Sequence, residues 1–238
     1  MDTTAYVTLT RQSGLMREME LVAHNIANVS TAGFRREGVV FAEHVAQAGT
    51  APSVSMALAK ARLVDMTQGA LSATGGTFDL AITGEGFFQV ATPDGPRLTR
   101  AGSFTPSAEG ALVTPDGHAV LDAGGAPVVI PGGVAQVRIG ADGTISADGQ
   151  AVGRIGLFLP DDPLSLRQQA GTLFSVDAAV PAPAATVMQG MIEESNVDPI
   201  TEVARMIEVQ RAYEAGQSFL QREDDRALRV IETLGRQA

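Results

Sequence analysis

The 238-residue chain has no cysteine, no tryptophan, only two tyrosines and, in Lys60, a single lysine. Without cysteine there is no disulfide framework, no thiolate metal site and no cysteine nucleophile. Basic charge is also scarce: 17 basic residues against 27 acidic ones give 17 − 27 = −10, which disfavours non-specific nucleic-acid binding. No segment is a basic arm, since residues 1–40 carry four charges of each sign, residues 41–190 carry 7 basic and 13 acidic, and residues 191–238 carry 6 and 10. Long apolar runs are missing too. No stretch approaches the roughly 18 consecutive apolar residues of a membrane span, so no membrane insertion is expected. The opening MDTTAYVTLTRQ has an acid at position 2 and no apolar core, unlike a secretory leader.

The layout that remains is symmetric, with an amphipathic helix at each end and a Gly-rich, strand-like middle. Leu15, Met19, Val22, Ile26 and Val29 follow one another at steps of four, three, four and three, the seam of a coiled coil that needs a partner helix. Asp2, Thr3 or Thr4 is placed to cap the start of that helix. Asn28 and Gly33, residue types that tolerate positive φ, stand where the helix must end and the chain reverse. Phe34 then supplies an apolar anchor directly after the turn. This predicts a helix with its exit element over residues 1–34, followed by an extended linker over 35–69.

From Ala70 to Val180 the helical period disappears. In TFDLAIT, Phe78, Leu80 and Ile82 alternate with Thr77, Asp79, Ala81 and Thr83, the pattern of a half-buried strand. Asp-Gly pairs at 94–95, 116–117, 142–143 and 148–149 separate short apolar runs and read as hairpin turns. The reading is an antiparallel β domain over residues 70–180, with Phe87, Phe88 and Phe104 as most of its aromatic core. Arg100 is read as a solvated arginine, with a buried acidic partner as the alternative.

Residues 181–197 begin with the stiff run PAPAA and read as a connector. Asp198 is placed to cap a closing helix with Pro199 at its first position, spanning 198–238. One heptad line of that helix holds Tyr213, Leu220, Ala227 and Leu234, while the companion line has Gln210, Gln217 and Asp224 before Ile231. A seam this narrow suits helix–helix contacts in an assembly better than packing on a compact β domain. Both end helices are therefore expected to be completed by neighbouring subunits, not to form a two-stranded coil with each other alone.

Catalytic and ligand-binding patterns fail on inspection. Gly84-Glu85-Gly86 begins like a nucleotide loop, but Gln89 stands where the third glycine belongs, a strand pattern follows, and Glu85 would repel phosphate. His24, His44 and His118 have no metal-ligand spacing. The acid pairs Asp161-Asp162, Glu193-Glu194 and Asp224-Asp225 lack a convergent partner, and no GxSxG elbow occurs. The chain reads as a non-enzyme with no cofactor, no metal and no catalytic residue.

Five runs carry a resemblance: ANVSTAGFRRE, DLAITGEGFFQV, LTRAGSF, EGALVTPDGHAVL and SNVDPITEVARMIEVQRAYEAGQ. They resemble the flagellar rod and hook family, whose members share an ANxxTxGF element near the N-terminus; Gly216, where relatives commonly have Asn, is a departure. The resemblance implies an α+β fold with long N- and C-terminal helices flanking a mainly antiparallel β domain. It implies a structural axial subunit of the basal-body rod serving motility, proximal by its opening segment and too short for a hook protein. The ends would form an inner helical tube and the β middle a shell. The implied partners are other rod proteins, copies of itself and the flagellar type III export apparatus, with no nucleic acid. The implied location is the periplasm-spanning rod, reached without a cleaved signal. The expected assembly interface is Leu15, Met19, Val22, Ile26, Asn28, Gly33, Phe34, Tyr213, Leu220 and Leu234. The alternatives are a distal rod protein, or a β-domain carbohydrate-binding module or enzyme with helical dimerisation arms.

Overall fold

The computed structural model describes residues 3–46, 54–169 and 171–235, with the side chains of 3–7, 41–46, 54–61, 227, 230, 231 and 234 outside the description. The fold is α+β: two long helices, α1 (Thr3–Ala27) and α2 (Pro199–Gly235), flank a mainly antiparallel β region. Asp2, one of the expected caps of α1, lies outside the described residues. Asp198 caps α2 as its position before Pro199 requires: its carboxylate accepts from the Ile200 amide at 3.2 Å and from the Thr201 hydroxyl.

The chain divides into two compact units. A helical unit comprises Met1–Ala27, Glu37–Leu63 and Asp198–Ala238, and a β unit comprises Asn28–Arg36 and Val64–Val197. Inside the stretch read as an extended linker, β1 (Glu37–Ala46) and β2 (Val54–Val64) pair in a two-stranded sheet. Pairing satisfies backbone groups that a bare linker leaves to water.

In the β unit, β3 (Leu71–Ala73) pairs antiparallel with Met191–Glu193, and β4 (Leu80–Thr83) with Thr186–Gln189. These closing strands come from the stretch read as a connector. β5 (Phe87–Thr92) and β6 (Gly95–Thr99) form a hairpin across Asp94-Gly95 at the centre of a nine-stranded antiparallel sheet. Strand Leu157–Pro160 and strand Ala119–Val120 also pair with β5. A separate three-stranded sheet joins Val137–Ile139, Thr144–Ala147 and Gln150–Arg154.

The main core gathers alternating strand residues such as Leu80, Ile82, Phe88, Val90, Leu112 and Ile145. A second cluster holds Phe87, Leu98, Phe158, Leu166 and Phe174. Phe88 meets Phe104 edge-on at 5.2 Å between centroids, and Phe87 meets Phe174 at 5.6 Å, the edge-to-face geometry that aromatic quadrupoles favour. The expected half-buried strand is shorter and drier than its alternation suggests: Leu80, Ala81 and Ile82 are all buried. Ala81 is small enough for neighbouring elements to cover both faces.

Candidate assembly interface

Around α1 and α2 the helical unit is knit by polar side chains on the faces that meet. Gln12 Nε2 donates to the Tyr213 carbonyl at 2.9 Å, Arg205 Nε donates to Glu18 Oε1 at 2.7 Å, and Asn25 Nδ2 donates to Glu202 Oε2 at 3.2 Å. As positions rise along α1 their partners fall along α2, so the two helices run antiparallel. Asn25 is fully buried and closes a further pair of bonds, donating to the Glu37 carbonyl at 2.8 Å and accepting from the Glu37 amide at 3.0 Å. His24 Nδ1 lies 3.3 Å from Glu37 Oε2. The hydrogen bond from Arg205 to Glu18 is the main reason the Arg205 guanidinium holds its proton more tightly than usual.

The end helices meet each other within one chain, a contact that apolar periodicity alone does not assign. Leu21, Val22 and Val209 are buried along the pair, and Gln12, Glu18 and Asn25 of α1 find polar partners on α2. An apolar-periodicity argument does not weigh these polar residues. At one end the helices approach at Gly216, where a Cβ would come within 2.3 Å of Gln12 Nε2 and displace that side chain. Of the expected seam, Val22 is buried, while Leu15, Met19, Ile26, Tyr213 and Leu220 are half-buried. The side chain of Leu234 lies outside the described residues.

Pairing leaves apolar side chains on the outer faces. Leu9 and Met16 on α1 are 57% and 52% exposed, and Ile200, Val203 and Ile207 on α2 are 80%, 48% and 44% exposed. Isolated exposed apolar residues are ordinary. Ile200, Val203 and Ile207, at steps of three and four, form a stripe.

The exit element belongs to the β unit. The Thr31 amide donates to the Asn28 carbonyl and the Phe34 amide to the Thr31 carbonyl, both at 3.1 Å, making two successive turns. Gly33 has φ +72°, and a Cβ there would fall 2.2 Å from the Ala101 amide nitrogen, so conformation and space both demand glycine. Its amide donates to the Glu193 carbonyl at 2.8 Å. Phe34 has no exposed surface, so its side chain anchors the turn. Asn28 is half-buried.

Behind the turn lies a buried charge cluster. Arg35 Nη1 is 2.6 Å from Glu193 Oε1 and donates to the Thr67 carbonyl at 2.7 Å. Arg100 Nη1 is 3.4 Å from Glu193 Oε2, and the same guanidinium donates to the Ile82 and Gly84 carbonyls at 3.2 and 2.6 Å. It also sits 5.6 Å from the Phe87 ring centroid. Burial pushes the Arg100 guanidinium down to about 10, with the like charge of Arg35 adding to the shift and Glu193 opposing it; Arg35 is lowered mainly by burial too. Both remain charged at neutral pH. Arg100 is thus a core residue, correcting its reading as solvated: Ile82, Gly84 and Glu193 converge on it only when the sheets fold. Asn196 adds a second tie, accepting from the Arg36 amide at 2.7 Å and donating to the Asp65 and Thr67 carbonyls at 3.0 and 2.8 Å.

A closed β core tied to a turn, together with a helix pair that keeps apolar side chains outside, defines a structural subunit. The matches to known proteins agree. Residues 81–147 match the model of the flagellar hook protein FlgE/F/G D1 domain, and residues 188–233 match the model of the flagellar basal body rod FlgEFG protein C-terminal region. The chain is 39% identical to the flagellar basal-body rod protein FlgF of Caulobacter vibrioides and 38% identical to that of Mesorhizobium japonicum, each alignment covering 99% of both chains. It is 30% identical to the flagellar basal-body rod protein FlgG of Bacillus subtilis over 92% of this chain and 94% of that one. The chain belongs to the flagellar basal-body rod protein family, and within it is most like FlgF. It is a structural rod subunit located in the flagellar basal body. Among the described residues, no helix is long and apolar enough to cross a membrane.

Proposed function

We propose that the chain is an axial subunit of the proximal part of the rod, held there by its terminal helices against other rod proteins and copies of itself. It reaches the periplasm-spanning rod through the flagellar type III export apparatus, keeps its N-terminus and catalyses no reaction. The observation that carries this reading is the contrast between units: the β unit closes its own cores, whereas the paired helices keep Leu9, Met16, Ile200, Val203 and Ile207 exposed. Leu15, Met19, Val22, Ile26, Tyr213, Leu220 and Leu234 shape the helical contact surface. Asn28, Gly33 and Phe34 serve it indirectly, by fixing the turn that follows α1.

Purified basal bodies test the reading. A variant with Leu15→Asp and Met19→Asp is expected to be absent from them and to abolish motility, while its β unit stays folded by near-ultraviolet circular dichroism. Wild-type levels of that variant in basal bodies would refute the interface assignment. Export is checked separately, since blocking the type III apparatus should leave the chain in the cytoplasm.

A further inference from the structure

Between α1 and α2, on the side marked by Gly216, lies an open groove of about 360 Å³. Leu15, Ala212, Ala215 and Phe219 make its walls apolar, and Arg11 and Thr8 also line it. Gln12 lines it as well, and its Oε1 is a buried acceptor with no hydrogen-bond partner among the described residues. Such an orphan is costly, by about 1–3 kcal/mol in typical proteins, and it lies in the wall of the groove, closed to solvent until the Gln12 side chain turns. An apolar slot with one orphaned acceptor and a cationic rim suits an apolar, partly acidic helix face that carries a donor nearby.

We propose that this groove receives the outer face of α2 of a second copy of the chain, with Ile207 and Val203 as the inserted side chains. The proposal deepens the rod-subunit reading and rests on it. Three features of that face match the groove. It is apolar at Ile200, Val203 and Ile207, all exposed. One heptad beyond Ile207 it carries the exposed Glu214, complementary in charge to Arg11. Exposed Gln210 and Arg211, one turn beyond Ile207, are donors of the type that Gln12 Oε1 lacks.

The two surfaces lie on different sides of α2. At about 100° per residue, the stripe is centred roughly 140° around the helix from the groove-lining positions. Each copy therefore offers its groove to one neighbour and its stripe to another. Such a heterologous contact propagates an open chain instead of closing a symmetric dimer.

The absence of native cysteine makes disulfide trapping clean. The full-length chain carrying both Ile207→Cys and Ala215→Cys is expressed in place of the wild type, and basal bodies are purified, oxidised and run without reductant. The two positions are about 12 Å apart along one helix, beyond the roughly 7 Å that a disulfide spans within a chain. The expected result is a ladder of covalent multimers from the double variant, only monomer from either single variant, and dimers but no ladder when the two single variants are co-expressed. Incorporation without cross-linking, or a single variant that dimerises with itself, overturns the proposal and leaves the rod reading intact. Absence of the wild-type chain from basal bodies would instead remove the rod reading. If the cysteine variants fail to incorporate, Ala215→Trp decides in solution: filling the groove should weaken self-association of the purified chain by about tenfold or more, the loss of one good contact. Unchanged self-association, or a wild type that does not self-associate, overturns the proposal.

Discussion

Glu193 ties Arg35, Arg100 and the Gly69 backbone together inside the β unit. It is 1% exposed, faces the guanidinium groups of Arg35 and Arg100, and its Oε1 accepts from the Gly69 amide at 2.9 Å. Two buried cations share one buried anion as their ion-pair partner, while Asp65 and Glu85 attract Arg35 and Arg100 from farther away. Glu193→Gln keeps the shape and removes the negative charge that, among the described residues, pairs directly with both arginines. Leaving buried charges without a partner typically costs about 3–5 kcal/mol, and urea denaturation of the full chain should show a loss of that size. A change under about 1 kcal/mol would mean that water or backbone carbonyls already compensate the arginines. The glycine of the exit turn was legible in the sequence, because residue type and position both pointed to Gly33. The partner of Arg100 was not, because choosing Glu193 among 27 acids requires knowing which strands meet.

For the helices, the legible part was where they lie and how they start. Asp198 before Pro199 marked the beginning of α2, and the structure shows the cap in place. Hydrogen bonds from the Thr201 hydroxyl, then from the Ile200 amide, hold the Asp198 carboxyl below the usual carboxylate range. Because the folded value is depressed, the cap's stabilising effect is fully present above the unfolded value, near about 3.9, and is lost as pH falls through the folded value. An NMR titration should therefore place the Asp198 midpoint below about 3.9, and Asp198→Ala should loosen the first turn of α2 even at neutral pH. A midpoint at or above the ordinary value would contradict the cap. The face by which α1 meets α2 was only half legible. Apolar steps located Val22, but Gln12, Glu18 and Asn25 are polar, and their burial depends on α2 partners 177 to 201 positions away.

At the scale of the molecule, the division of the chain is discontinuous: residues 28–36, which follow α1 directly, fold with the β unit and not with the helix before them. A fragment of residues 28–197 is therefore expected to melt cooperatively, with the turn, Phe34 and the Arg35–Glu193 pair intact. A fragment of residues 37–197 loses all three. Emptying the Phe34 site alone should cost about 3–5 kcal/mol, as for buried phenylalanines in general. Urea melts of the two fragments decide the matter, and equal midpoints would show that the turn only rests on the β unit.

The sequence by itself determined the α+β layout, the glycine-dependent turn after α1, the cap of α2 and membership of the rod family. Each of these depends on local chemistry: hydrophobic period, backbone conformation and short motifs. Only the tertiary structure decided that the terminal helices pair through polar side chains and that Arg35 and Arg100 converge on Glu193. It also decided that strands from residues 179–193 complete the β unit. Those outcomes depend on which distant segments exclude water from one another, and a buried polar group takes its partner from whatever the fold brings within hydrogen-bonding reach.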